Sequence, residues 1–260
     1  MADRCNYCWR LFATAIAFAV FGLGGVLFSL TVFPLLILLI RAPETRIRVA
    51  RRAVQLSFAG FVGLMRALGL LSYRIIGAKK LDRPGLLILA NHPTLIDVVF
   101  LISLLPNADC VVKSSLARNP FTRGPVRASG YICNDSSEGL IQDCIASLRA
   151  GNNLVIFPEG TRTPLGGSMK LQRGAANIAV RGQRDITPVT IRCEPRSLAK
   201  GVPWWRIPAQ PMRFTIEVRD DLTVEPFIRD SGEAIAARSL THHLHDFFLR
   251  QANPHANPGT

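Results

Sequence analysis

Two kinds of apolar pattern follow one another along this chain. Residues 11–40, LFATAIAFAVFGLGGVLFSLTVFPLLILLI, contain no charged residue. As one helix the run reaches roughly 45 Å, beyond the roughly 30 Å hydrocarbon core that about 20 residues cross. Gly22, Gly24, Gly25 and Pro34 are places where it can break, so the pattern predicts one tilted span or two helices dipping into one leaflet. A cleaved signal peptide fits poorly, because the apolar part is too long and no small-residue cleavage site follows. Residues 44–71 read as a basic, partly apolar helix leading away from the membrane.

From residue 73 onward short β-like runs alternate with helical patterns. The runs predict strands at Tyr73–Ile76, Leu86–Ala90, Cys110–Lys113, Tyr131–Asn134, Leu154–Phe157, Thr187–Arg192 and Arg213–Val218. Helices are expected over 93–104, 136–149, 172–182 and 233–251; in the second, Leu140, Ile141, Cys144, Ile145 and Leu148 share one buried face. Several strands are nearly all apolar, as in a sheet covered on both faces. The alternation predicts an α/β fold, a mixed, mostly buried sheet flanked by helices, behind an N-terminal membrane helix or helix pair. The expected division is a membrane anchor (1–42), a basic interfacial helix or linker (43–72), the α/β domain (73–251) and a flexible tail (252–260).

Charge narrows the partners. In 260 residues, 31 Lys and Arg face 18 Asp and Glu, a formal net charge of +13. Such a surface attracts phosphate headgroups, nucleic acid or acidic substrates. Arg41, Arg46, Arg48, Arg51 and Arg52 follow the apolar run against only Glu44. The positive-inside rule then puts the domain on the cytoplasmic face of the cytoplasmic (inner) membrane, with these arginines near anionic lipid. Basic and aromatic residues do not interleave in the way that marks nucleic-acid binding, so no nucleic-acid partner is expected. The six cysteines lack the spacing of a disulfide framework, and neither the lone Cys5-Asn-Tyr-Cys8 nor His242, His243 and His245 makes a convincing metal site; the three histidines are expected to face solvent.

Candidate chemistry sits where two strands end. In Ala90-Asn91-His92-Pro93-Thr94-Leu95-Ile96-Asp97, Pro93 disfavours helical geometry at His92 and is itself comfortable at the first position of a helix. A helix starting at Pro93 places Asp97 in its second turn, leaning back toward His92. Asp97 then orients the imidazole, and the other ring nitrogen is a general base. Taken alone, the pair reads equally as a capping histidine beside a satisfied core aspartate. The second stretch, Val155-Ile156-Phe157-Pro158-Glu159-Gly160-Thr161-Arg162-Thr163, runs from a strand into a turn carrying hydroxyls and a guanidinium suited to an anion. Lys170 and Arg173 precede a helix whose N-terminus also favours negative charge. By itself this is equally a charged turn.

Together these blocks resemble the glycerolipid acyltransferases of the 1-acylglycerol-3-phosphate acyltransferase type. Asn91-His92-Pro93-Thr94-Leu95-Ile96-Asp97 is similar to that family's NHxxxxD block, and Phe157-Pro158-Glu159-Gly160-Thr161-Arg162 to its FPEGTRS block, in the same order and at a similar separation. Gly130–Asp135, Thr187-Pro188-Val189, Lys113, Pro120-Phe121 and Arg173-Gly174-Ala175 add further similarity over residues 70–220. The resemblance implies a membrane-bound O-acyltransferase that moves a fatty acyl group from acyl-CoA or acyl-carrier protein to a lysolipid hydroxyl. His92 would be the base and Asp97 its orienting partner, while Glu159, Gly160, Thr161, Arg162 and Arg173 would bind the acceptor. No acyl-enzyme is implied, which agrees with the lack of a G-x-S-x-G elbow, and no metal or other cofactor is required. One departure stands out: the family's glycine-led block ends in aspartate-arginine, and here Asp135 is followed by Ser136-Ser137, although Arg123 and Arg127 lie nearby. The acceptor is therefore 1-acylglycerol-3-phosphate or a phosphate-free lysolipid such as an ornithine lipid. A non-catalytic basic membrane adaptor would explain the charge but not the two blocks.

Overall fold

The computed structural model describes residues 2–134, 137–164, 168–229 and 231–252. Asp135 and Ser136, and the tail from residue 253, lie outside the described residues. Helix α1 (Ala2–Leu27) passes through a π-helical turn (Phe28–Val32) into α2 (Phe33–Leu39). The glycines expected as break points do not interrupt it. Pro34 has no N–H to offer the carbonyl of Leu30, and the backbone widens into the π turn at that place. The chain then reverses into α3 (Pro43–Ala67). Trp9 Nε1 donates to the Leu68 carbonyl at 3.2 Å, and Phe21 packs on Phe58 and Phe61, so α1 and α3 run antiparallel.

The stretch Asn6–Leu39 is long and apolar enough to cross a membrane by length and composition. It also touches the rest of the protein along its length. The buried Arg10 guanidinium donates to the carbonyls of Pro208 and Ala209 at 2.8 and 2.6 Å. Farther along, a Cβ at Gly25 would collide with the Phe121 carbonyl, and one at Gly124 with the Ser29 side chain. Leu23, Leu27 and Leu30, at helical spacing on a different side from Gly22, Gly25 and Ser29, are exposed. Gly25→Leu is therefore expected to destabilise the protein by about 1–3 kcal/mol through overpacking. Gly22→Ala should be tolerated, because its Cβ would meet only the Phe121 ring at 3.6 Å. Thermal unfolding in detergent micelles checks the contrast, and equal midpoints for both variants would exclude the close contact.

Seven strands form one sheet: β1 (Leu71–Ile76), β2 (Leu87–Ala90), β3 (Ala108–Val112), β4 (Ile132–Cys133), β5 (Asn153–Ile156), β6 (Ile186–Glu194) and β7 (Met212–Val218). Their order is β1-β7-β6-β2-β5-β3-β4, with every neighbouring pair parallel except β6 and β7. A strand is present at each expected place with shifted ends: β4 keeps only Ile132–Cys133 of the expected Tyr131–Asn134, while β1 begins earlier, at Leu71, because Leu71 is already buried opposite Met212. The remaining helices are α4 (Asp97–Leu104), α5 (Ser114–Arg118), α6 (Arg123–Ala128), α7 (Ser137–Arg149), α8 (Gly174–Gly182), α9 (Glu225–Ile228) and α10 (Glu233–Ala252). Side chains alternate across the sheet as the strand period demands. Ile88, Ala90, Val155 and Val189 pack with Val54 and Met65 of α3 and Phe100 of α4, whereas Leu87, Leu89, Leu154 and Ile156 pack with Leu148 of α7, Ala179 of α8 and Leu244 of α10.

Three further details depart from the sequence reading. Helix α4 begins at Asp97, not at Pro93: the Thr94 N–H and hydroxyl both donate to the Asp97 carboxylate, and these bonds fold residues 93–96 into a turn. Arg51 does not face lipid; it is buried and paired with Asp109 at 2.8 Å. His245 does not simply face solvent, since its Nε2 lies 3.1 Å from the Met169 carbonyl, while His242 and His243 are exposed.

Candidate active site

Strands β2 and β5 lie side by side, Leu89 opposite Ile156, so the segments that follow them leave the same edge of the sheet together. Ligand sites of α/β sheets gather at such carboxyl ends. Asn91 finishes β2: its amide donates to the Ile191 carbonyl at 2.8 Å and its carbonyl accepts the Ile191 N–H at 2.7 Å, one more rung on the ladder to β6.

His92 follows. Its Nδ1 is 2.9 Å from Asp97 Oδ2, and Asp97 has no exposed surface while the imidazole keeps 17% of its own. The same Asp97 oxygen accepts the Thr94 N–H at 2.6 Å, and Oδ1 accepts the Thr94 hydroxyl at 2.5 Å. Burial pushes the Asp97 carboxyl above its ordinary range; the bonds from His92 and Thr94 oppose that push by favouring the carboxylate. The Phe157 ring stacks on the imidazole with centroids 4.3 Å apart. The ring is thus fixed by Asp97 at one nitrogen and by Phe157 across one face. Among the described residues nothing bonds to Nε2, which is the nitrogen left for a reacting proton.

The turn after β5 is stapled to this histidine through its backbone. Glu159 is buried; its Oε1 accepts the His92 N–H at 2.9 Å and its Oε2 accepts the Thr163 hydroxyl. The Thr163 N–H donates to the His92 carbonyl at 3.0 Å. Gly160 sits at φ +67°, a left-handed conformation that glycine takes without strain, and its N–H closes the turn on the Phe157 carbonyl. Arg162 Nη1 donates to the Leu198 carbonyl at 2.9 Å, and the Leu95 N–H reaches the same carbonyl at 3.1 Å, tying a third segment to both turns.

The residues singled out in the sequence therefore separate by place. His92, Asp97, Glu159, Gly160 and Arg162 come together. Glu159, expected as an acceptor contact, spends both oxygens inside the protein. Thr161 is half-buried in the same turn. Arg173 caps the start of α8 with its side chain exposed, beside Gln172, whose N–H bonds the Pro158 carbonyl at 2.7 Å. Sequence reasoning did not single out Thr94 or Phe157, and it read the Thr163 hydroxyl as open to a ligand, whereas that hydroxyl bonds Glu159. For Thr94 a signal existed: Thr-x-x-Asp at 94–97 has the spacing of an N-terminal capping pair.

The chain is similar to known proteins in sequence and in fold. Residues 72–192 match the family model described as Acyltransferase. The chain is 32% identical over 117 residues to a 1-acyl-sn-glycerol-3-phosphate acyltransferase of Helicobacter pylori, covering 42% of this chain and 49% of that one. It is 34% identical over 124 residues to a putative 1-acyl-sn-glycerol-3-phosphate acyltransferase of Caenorhabditis elegans, covering 44% of each. The matches thus span about half the length of these curated relatives. The crystal structure of the 1-acyl-sn-glycerophosphate acyltransferase PlsC from Thermotoga maritima has the same fold, with a TM-score of 0.71 at 20% identity over 99% of this chain and 100% of that one. Residues 72–192, which hold both turns and the contacts between them, are the part of this chain that is similar to the acyltransferase family.

Proposed function

We propose that the protein is a membrane-bound O-acyltransferase that moves a fatty acyl group from acyl-CoA or acyl-carrier protein to the free hydroxyl of 1-acylglycerol-3-phosphate. The observation that carries this reading is the His92 Nδ1–Asp97 Oδ2 contact of 2.9 Å to a carboxylate with no exposed surface. Asp97 accepts from Nδ1–H, which fixes the tautomer and leaves Nε2 unprotonated. The acceptor hydroxyl gives its proton to Nε2 while its oxygen attacks the thioester carbonyl. The new C–O bond forms, the C–S bond breaks, and the departing thiolate takes the proton back from His92. The hydroxyl proton passes through His92 to the departing sulfur, so the step calls for neither metal nor redox cofactor. A non-catalytic basic adaptor would have no use for a buried, oriented His–Asp pair.

The exposed Arg123 and Arg127 of α6 and the exposed Lys113 are the cations we assign to the acceptor phosphate, in place of the arginine that Ser136 replaces. Arg173 supplies a further exposed cation near the Phe157–Arg162 turn. The apolar α1–α2 segment holds the domain on the cytoplasmic face of the inner membrane, where lysolipid and acyl chain both partition.

An acceptor screen tests the reading. Membrane-embedded protein is given labelled acyl-CoA and acyl-carrier protein with lysophosphatidic acid or phosphate-free lysolipids. Transfer to lysophosphatidic acid is expected. Transfer only to a phosphate-free acceptor would keep the His–Asp chemistry and overturn the acceptor, a result the serine at position 136 would explain. Salt-sensitive nucleic-acid binding with no thioester turnover would overturn the enzyme reading itself.

A further inference from the structure

The loop Lys200–Pro211, Lys-Gly-Val-Pro-Trp-Trp-Arg-Ile-Pro-Ala-Gln-Pro, takes no part in the chemistry above, yet it holds two of the chain's three tryptophans at its surface. Trp204 is 38% exposed and Trp205 57%, with their rings 5.7 Å apart at 87°. A soluble protein gains nothing by presenting adjacent tryptophans to water. At a membrane–water boundary the same rings are favourable, because an indole has an apolar body and one N–H donor.

Neighbouring groups select the lipid surface as the partner. Trp204 packs on Phe18 of α1 with centroids 5.4 Å apart, and Phe18 belongs to the Asn6–Leu39 apolar stretch. The aromatic tip is thus continuous with the segment apolar enough to enter a bilayer. Lys200 and Arg206, both exposed, flank the tryptophans with positive charge suited to anionic headgroups. The loop is also held in shape. Arg10 donates to Pro208 and Ala209, Lys200 bridges to Pro164, and Pro203, Pro208 and Pro211 restrict the backbone between them. Little freedom remains to be lost on docking.

We infer that Lys200, Trp204, Trp205 and Arg206 form a second lipid contact, separate from the α1–α2 anchor, that seats the active-site edge of the domain on the headgroup layer. The chain of contacts to the site is short. Leu198 precedes this loop, and its carbonyl accepts from Leu95 in the His92–Asp97 turn and from Arg162 in the other turn. A helix anchor alone fixes the distance to the membrane; a second contact fixes the tilt as well. The inference concerns lipid binding and stands whether or not the acceptor assigned above is correct.

Single-region fluorescence tests it. The full chain is reconstituted into vesicles of phosphatidylglycerol and phosphatidylcholine as Trp9→Phe, which leaves the pair at 204 and 205, and as Trp204→Phe/Trp205→Phe, which leaves Trp9. In the first protein, emission should be quenched by lipid brominated near the headgroup and shielded at least several-fold from aqueous acrylamide relative to free tryptophan. Acrylamide quenching near that of free tryptophan, with no quenching by brominated lipid, would overturn the inference. Shielding from both quenchers would also overturn it, pointing instead to burial against a second copy. The Trp9-only protein reports the helix anchor independently, so failure of the loop contact is distinguishable from loss of membrane binding. Trp204→Ala/Trp205→Ala should lower transfer to vesicle-borne acceptor several-fold and leave transfer between detergent-dispersed substrates unchanged.

Discussion

His92→Ala is expected to lower acyl transfer about 10²–10⁴-fold, the range that a positioned general base supplies, with the fold retained. The two effects separate because the residue's structural bonds come from its backbone. The His92 N–H holds Glu159 and its carbonyl holds Thr163, and alanine keeps both. Asp97→Asn sharpens the test. The carboxamide fills nearly the same space, and its oxygen at the Oδ2 position can still accept from the Thr94 N–H and the imidazole, but it carries no negative charge. The imidazolium that forms as His92 takes the proton then has no carboxylate to stabilise it, so activity should fall while thermal stability changes much less than activity does. Rates in membrane vesicles, with circular dichroism of the same preparations, check both variants. Activity within a few-fold of the starting protein in both would exclude the proposed mechanism.

The His92–Asp97 pair was legible in the sequence because it is local. Five residues separate the partners, Pro93 restricts His92, and the strand before them is a clear apolar run. The strands were legible for the same reason: Leu87–Ala90 and Asn153–Ile156 are buried throughout, so an apolar run marks each. The start of α4 was not legible, because a side-chain bond decides it. Pro93 favours a helix start, but the Thr94–Asp97 hydrogen bonds hold residues 93–96 in a turn instead. What Glu159 does was hidden for a different reason. Its contact with the His92 backbone exists only because β2 and β5 are neighbours, and no local pattern announces that pairing. The same holds for Arg162 and Leu198, which meet across different segments. Arg51 misled most: within a run of arginines beside an apolar helix, nothing local distinguishes the one that turns inward.

That buried arginine carries the largest expected loss of stability. Arg51 Nη2 lies 2.8 Å from Asp109 Oδ2, with both side chains almost wholly buried. Its Nε donates to the Ser129 carbonyl at 2.9 Å and its Nη1 to Asn107 Oδ1 at 3.3 Å. Asp109 also accepts the Ser147 hydroxyl at 2.6 Å, and burial pushes its carboxyl up while Arg51 draws it down. One guanidinium thus joins α3 to β3 and to the turn after α6, and Asp109 extends the network to α7. Arg51→Met should destabilise the protein by about 3–5 kcal/mol, because it leaves the Asp109 charge buried without its partner. Arg51→Met/Asp109→Leu should recover part of that loss, since the unpaired charge goes too. Thermal unfolding in micelles measures the cycle; a change below about 1 kcal/mol, as for a surface ion pair, would mean that Arg51 faces water or lipid after all. Activity should fall with stability in the single variant. Helix α3 packs against α4, and the first residue of α4 is Asp97, so loosening α3 is expected to loosen the element that carries the carboxylate beside His92.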